Sequence, residues 1–264
     1  MREVAVSVPR WLEYAGLIGF IGTLVTRRLA ANPPRIPWAR PPMHFALAAA
    51  FVGGIGVVAA DASGASSSTG GAAVYLFGEP QGWVRVGRVA AEGVALLLCL
   101  SGRRFVVASA LTAAGALVFA GHATGVRFAT GAIFTDALHV LSAGMWAGGI
   151  IVLATLRPPG GWAGAEGQAL LHRFSRVAVL AFAVTALTGV LRASEELNGI
   201  SDLWSTSYGV VLSLKSAGVL AMLVMSAHVW RRVVQFARAE AVIALLVLAA
   251  TAVLAAYPMP PGGA

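Results

Sequence analysis

Asp136 and His139 stand three residues apart in a long apolar run, so on a helix they share one face. Ionisable groups are costly inside a membrane unless they face the bundle interior, which marks this pair as a functional-site candidate. His122 and Met145 flank it. Further along the chain, Met222, Met225 and His228 recur at spacings of three, so successive members are neighbours on a helix. Imidazole, carboxylate and thioether are ligand chemistries, and imidazole with thioether suits copper, whose reduced form prefers soft sulfur. The candidate metal ligands are therefore His122, Asp136, His139, Met225 and His228. Glu13, Arg88, Glu92 and Lys215 form a second, charged set, whose members offset each other's desolvation when paired. Plainer readings stand beside these: core filling for the methionines, hydration for His122, and a structural ion-pair network for the charges.

Such groups need long apolar elements to hold them. Of the 264 residues, 58% are hydrophobic and 11% charged, and mean hydropathy is +0.79. That composition describes an integral membrane protein. About 20 apolar residues span the hydrocarbon core as a helix, and the chain offers such runs near 11–26, 43–60, 83–100, 105–121, 131–156, 174–191, 208–230 and 238–257. The expected fold is all-α, a polytopic bundle of eight transmembrane helices with no extramembrane catalytic domain. No small-residue cleavage site follows the first apolar run, which reads as a retained first helix. Cys99, the single cysteine, excludes an internal disulfide and reads as a buried residue.

The net charge of +8 is a topology signal. Arg27, Arg28, Arg35, Arg40, Arg103, Arg104, Arg157, Arg173, Arg176, Arg231, Arg232 and Arg238 fall in alternate loops or at their edges, and the positive-inside rule makes those loops cytoplasmic. Both termini, the Ser/Gly-rich loop 61–82, the connection 122–130 and the acidic loop 195–207 then face the periplasm. Nucleic acid is not an expected partner; the lipid bilayer is.

An internal repeat relates the two halves. An offset of 126 superimposes Glu13, Gly16 and Gly22 on His139, Ser142 and Gly148, and an offset of 127 superimposes Arg88 on Lys215. His44 and His172 fall at an offset of 128. The chain thus divides into halves 1–122 and 123–264, two four-helix repeats that an even span count keeps parallel, forming one membrane domain. With a helical rise of about 1.5 Å per residue, Glu13, His139 and Lys215 lie roughly 21–27 Å from the cytoplasmic arginines. The polar residues converge on an outward-facing cavity between the halves, with Arg85, Arg88 and Glu92 on one face of the third span; Arg85 itself is expected to snorkel toward the interface.

The motifs carry a resemblance. Gly-His-Ala at 121–123, Asp-Ala-Leu-His at 136–139, Trp-Ala-Gly-Gly at 146–149, Arg-Phe-Ser-Arg at 173–176, Leu-Thr-Gly at 187–189 and Tyr-Gly at 208–209 with Lys215 together closely resemble the copper resistance D (CopD) family, best over residues 115–257. The resemblance implies a multi-pass protein of the bacterial inner membrane that handles copper ions, carries them inward from the periplasm, and often works with a small periplasmic copper-binding protein of the CopC type. The family's first span often carries a histidine where this chain has Glu13.

Two functional classes remain open at the level of sequence. In one, copper reaches His122, Asp136 and His139 from outside, crosses near Glu92 and leaves past Met225 and His228. In the other, the chain is a non-transporting subunit whose charges lock helices and whose apolar exterior docks onto a larger respiratory or photosynthetic membrane complex. A b-type cytochrome is not expected, because His122 and His139 both lie near the outer surface and no second pair faces them across the bilayer. Nor is an enzyme, since no phosphate loop and no grouped nucleophile, base and orienting acid are present.

Overall fold

A computed structural model describes residues 2–65, 69–78, 80–102, 104–119, 129–197, 199–229 and 235–255, and all regular structure among them is helical. In chain order the elements are α1 (Arg2–Ala31), α2 (Met43–Ala65), α3 (Thr69–Phe77), α4 (Pro80–Leu100), α5 (Val106–Phe119), α6 (Ala129–Ala143), a π-helical turn (Gly144–Gly148), α7 (Gly149–Thr155), α8 (Ala165–Glu196), α9 (Asp202–Ser205), α10 (Ser207–Val229) and α11 (Gln235–Leu254). Long apolar stretches form helices because a helix satisfies its own backbone polar groups where no water can. Proline pairs, which lack a backbone donor, follow two of the stops: Pro33-Pro34 after α1 and Pro158-Pro159 after α7.

The molecule is a membrane protein. Among the described residues, four helical stretches are long and apolar enough to cross a bilayer: Met43–Ser63, Gly131–Thr155, Ala165–Glu195 and Ser207–Ser226. Large apolar side chains such as Phe45, Leu97, Leu180, Val190 and Leu214 point outward. In water such a surface would aggregate; in lipid it is the favoured exterior.

α1 is the central pillar. It packs against α2, α11, α7 and the π-helical turn, while α4 pairs with α5, α6 with α8, and α10 with α11. A very close approach joins α1 to the turn: a Cβ on Gly22 would collide with the backbone of Gly148 and Gly149, and one on Gly148 would collide with the carbonyl of Ile18. Only glycines let two backbones meet at that separation. α2 also packs on α4, whereas α10 has its substantial contacts with α11 and the short α9.

At the basic end, the side chain of Arg173 on α8 donates to the carbonyls of Leu29, Asn32 and Pro34 at 2.9–3.0 Å, satisfying the exposed end of α1. Nearby, Trp38 donates to Glu166 at 2.6 Å and stacks edge-on against Trp162.

Two elements differ from the sequence expectation. The stretch 61–82 is not simply a loop: α2 runs on to Ala65, and α3 follows, packed on α2 and α4. The run 131–156 is helical but interrupted by the π-helical turn, where the tight contact with α1 forces an extra residue into the ladder.

Candidate functional site

Two polar clusters occupy the helix interior, one built mainly from α1 and α4 and one from α6, α8 and α10. In the first, Arg88 Nε of α4 lies 2.6 Å from Glu13 Oε1 of α1, with both side chains almost wholly buried. Glu92, one turn further along α4, is fully buried as well and faces the Glu13 carboxyl. Room for it comes from α2: a Cβ on Gly54 would strike Glu92 Oε2, and one on Gly53 would strike the backbone of Glu13. Arg85, on the same face, pairs with Asp61 of α2 at 3.9 Å, so its partner is a carboxylate as well as the interface. Arg10 acts on Glu13 from the preceding turn of α1 and donates to the carbonyl of Ala255 at 2.8 Å.

The second cluster centres on His139. Its Nδ1 lies 3.0 Å from Thr188 Oγ1 of α8. The Thr188 hydroxyl also lies 2.7 Å from the carbonyl of Val184 and 3.1 Å from that of Thr185; when it donates to either it accepts from the ring, and Nδ1 then carries the proton. That tautomer puts the imidazole lone pair on Nε2, the arrangement that outer hydrogen bonds impose on metal-binding histidines. Gly189 leaves space for the ring, since a Cβ there would sit 3.4 Å from His139 Cε1. Below, Thr185 donates to Ser142 at 2.8 Å, continuing the polar seam between α6 and α8. Lys215 of α10 and Arg192 of α8 are the cations whose charge reaches the ring.

Asp136, one turn before His139 on α6, is held by Arg192 Nε at 2.7 Å, and Arg192 Nη1 also meets Glu195 at 2.5 Å. The carboxylate expected as a ligand is therefore half of a part-exposed salt bridge. Tyr14 of α1 feels charges of both clusters, those of Arg10, Glu13 and Arg88 and that of Asp136.

The remaining sequence candidates lie elsewhere. Met225 is half-buried in α10, one turn beyond the fully buried Met222, which packs with Trp146 and Phe174 in the main apolar core. His228 lies in α10, but its side chain is outside the described residues, as is the whole of His122. Among the described residues, no three His, Cys, Asp or Glu side chains gather into a metal-sized group. Sequence reasoning missed Thr185, Arg192 and Tyr14, and named Thr188 only within the Leu-Thr-Gly motif. Thr185 and Thr188, three apart and facing α6, were the available signal.

The motif residues also acquire structural roles. Gly149 lies against the ring of Phe174, and Trp146 packs edge-on to Phe182 at 4.9 Å. Gly209 is wedged against the backbone of Asp202 and Leu203.

Comparison with known proteins adds two findings. Residues 168–254 match the family model described as copper resistance protein D. A curated protein named copper transport protein CutJ, from Bacillus subtilis, is 33% identical over 159 residues, covering 55% of this chain and 29% of that protein. The chain thus spans less than a third of the length of that relative. No solved structure gives a match.

Proposed function

We propose that this chain, whose residues 168–254 match the model of copper resistance protein D, binds copper ions at an intramembrane site around His139 and passes them across a bacterial inner membrane. The observation that supports the reading is the His139–Thr188 contact, which lies partly in the family-matched segment and, with Nδ1 donating to Thr188, leaves the Nε2 lone pair for a metal. Reduced copper accepts few, soft ligands, so a single well-oriented imidazole is a reasonable stopping point along a path; each stop must bind weakly enough to release the ion. Asp136 draws cations to the outer mouth while its pairing with Arg192 keeps it from holding them tightly. Met225, with His228, offers the next soft ligand toward the basic end.

The same reading takes the chain as eight spans in two parallel halves, 1–122 and 123–264, with both termini periplasmic. The self-meeting of Gly22 and Gly148, equivalent positions at the offset of 126, supports an axis between the halves at that point. Glu13 with Arg88 and His139 with Lys215 then occupy corresponding places. A CopC-like periplasmic copper-binding protein is the expected donor.

The test is copper accumulation by cells together with copper titration of the purified protein. His139→Ala should abolish the chain-dependent uptake, and Thr188→Val, which removes only the outer hydrogen bond, should weaken copper binding roughly tenfold. Uptake unchanged in His139→Ala at equal protein level overturns the proposal, and stoichiometric co-purification of a larger complex with no bound copper would favour the subunit reading.

A further inference from the structure

The first cluster poses a problem of charge and of hydrogen bonding together. Glu13 and Glu92 bring two carboxyl groups to one wholly buried place, and Arg88 supplies a single guanidinium. Neither oxygen of Glu92 has a hydrogen-bond donor among the described residues. The group it faces is the Glu13 carboxyl. Two carboxylates cannot hydrogen-bond to each other, because each only accepts; one must carry a proton to donate. An unpaired, ionised carboxylate in a membrane interior is among the most costly groups a protein can hold.

What else could balance the charge? A metal ion needs several ligands, and among the described residues no third His, Cys, Asp or Glu joins the two carboxyl groups. Glu92 Oε2 is already pressed against the backbone of α2 at Gly54, and no metal-sized group of ligands is present among the described residues. Among the described residues, no further cation hydrogen-bonds to Glu92. Arg10 of α1 adds positive charge near Glu13, but its guanidinium donates to the carbonyl of Ala255. On α2, Asp61 is engaged with Arg85, and His44 lies at the far end of the helix; α5 carries no titratable residue. Tyr14 adds a neutral hydroxyl beside Glu13.

We propose that Glu13 and Glu92 form a proton-binding site, one proton bridging the two carboxyl groups while Arg88 neutralises the remaining negative charge. A proton needs no room and supplies the missing donor. The site lies in the first half of the chain, outside the family-matched segment, and does not depend on the copper reading: it stands whether or not His139 binds metal.

Infrared spectroscopy of the full chain reconstituted in lipid at neutral pH tests it, since a protonated carboxyl has a carbonyl band that carboxylates lack and that moves on exchange into D2O. Glu240 of α11, buried against the Ser226 hydroxyl, is a second source of such a band. The expected result is a carboxylic-acid band that loses intensity in Glu92→Gln and in Glu13→Gln but keeps that component in Glu240→Gln. Glutamine preserves the shape of a protonated acid, and the amide band of the same spectrum reports whether the helices are intact. Native protein with no carboxylic-acid band at neutral pH overturns the proposal whatever the variants do, as does a band removed entirely by Glu240→Gln.

Discussion

Arg88 is tolerated at 5% exposure because Glu13 lies 2.6 Å from its Nε; remove Arg88 and the Glu13 carboxyl is stranded away from water. Breaking one side of a buried pair costs about 3–5 kcal/mol, far more than replacing both partners together. Arg88→Gln should therefore lower the thermal stability of the detergent-solubilised protein strongly, and the double variant Arg88→Gln/Glu13→Gln should recover most of the loss. Additive losses in the double variant would show that the two side chains do not act as a pair. At this scale the charged residues were legible in the sequence, because Glu13, Arg88, Glu92, Asp136, His139 and Lys215 are conspicuous in apolar runs. The hydroxyls were not: a threonine in a membrane helix ordinarily bonds its own backbone, as Thr188 does to Val184, and nothing in sequence says that it also receives a histidine. Nor could sequence tell that Asp136, promising as a ligand, is taken by Arg192.

Helices as units are positioned by close glycine contacts and by a few side chains that cap exposed backbone. Arg173 is the clearest of the latter, three bonds from one guanidinium closing the end of α1 from a residue on α8. Hydrogen bonds from a charged donor contribute about 1.5–3 kcal/mol each when buried and less when exposed, as two of these are. Arg173→Ala should lower the melting temperature while leaving copper binding by the folded protein unchanged; loss of copper binding without loss of stability would instead place the guanidinium at the metal path. The apolar runs made the long helices readable, and their stops at Asn32-Pro33-Pro34 and Pro158-Pro159 as well. α3 was hidden because Ser and Gly crowd the stretch 61–82, although the helix packs on α2 and α4. The π-helical turn was hidden for another reason: it answers to contact with α1, and Gly22 and Ile18 stand more than 120 residues away in the chain.

For the molecule as a whole, orientation turns on how many helices cross between the two basic loops. Arg35 follows α1 and Arg157 follows α7. If α2, α4, α5 and the α6–α7 rod all cross, an even number separates these arginines and both lie in the cytoplasm, as the positive-inside rule asks. The count turns on α5, whose 14 described helical residues extend roughly 21 Å against a hydrocarbon core about 30 Å thick. Should α5 stop partway, the two loops would fall on opposite faces and the halves could not be parallel. Three single cysteines in a Cys99→Ser background decide between these arrangements: Arg35→Cys, Arg157→Cys and Ser201→Cys, probed with a membrane-impermeant thiol reagent on intact and permeabilised cells stripped of the outer membrane. The parallel arrangement predicts that Ser201→Cys labels without permeabilisation, while Arg35→Cys and Arg157→Cys label only after it. Labelling of Arg35→Cys and Arg157→Cys from different sides would mean that an odd number of crossings separates them, and would break the correspondence between Glu13–Arg88 and His139–Lys215 on which the two-half architecture rests.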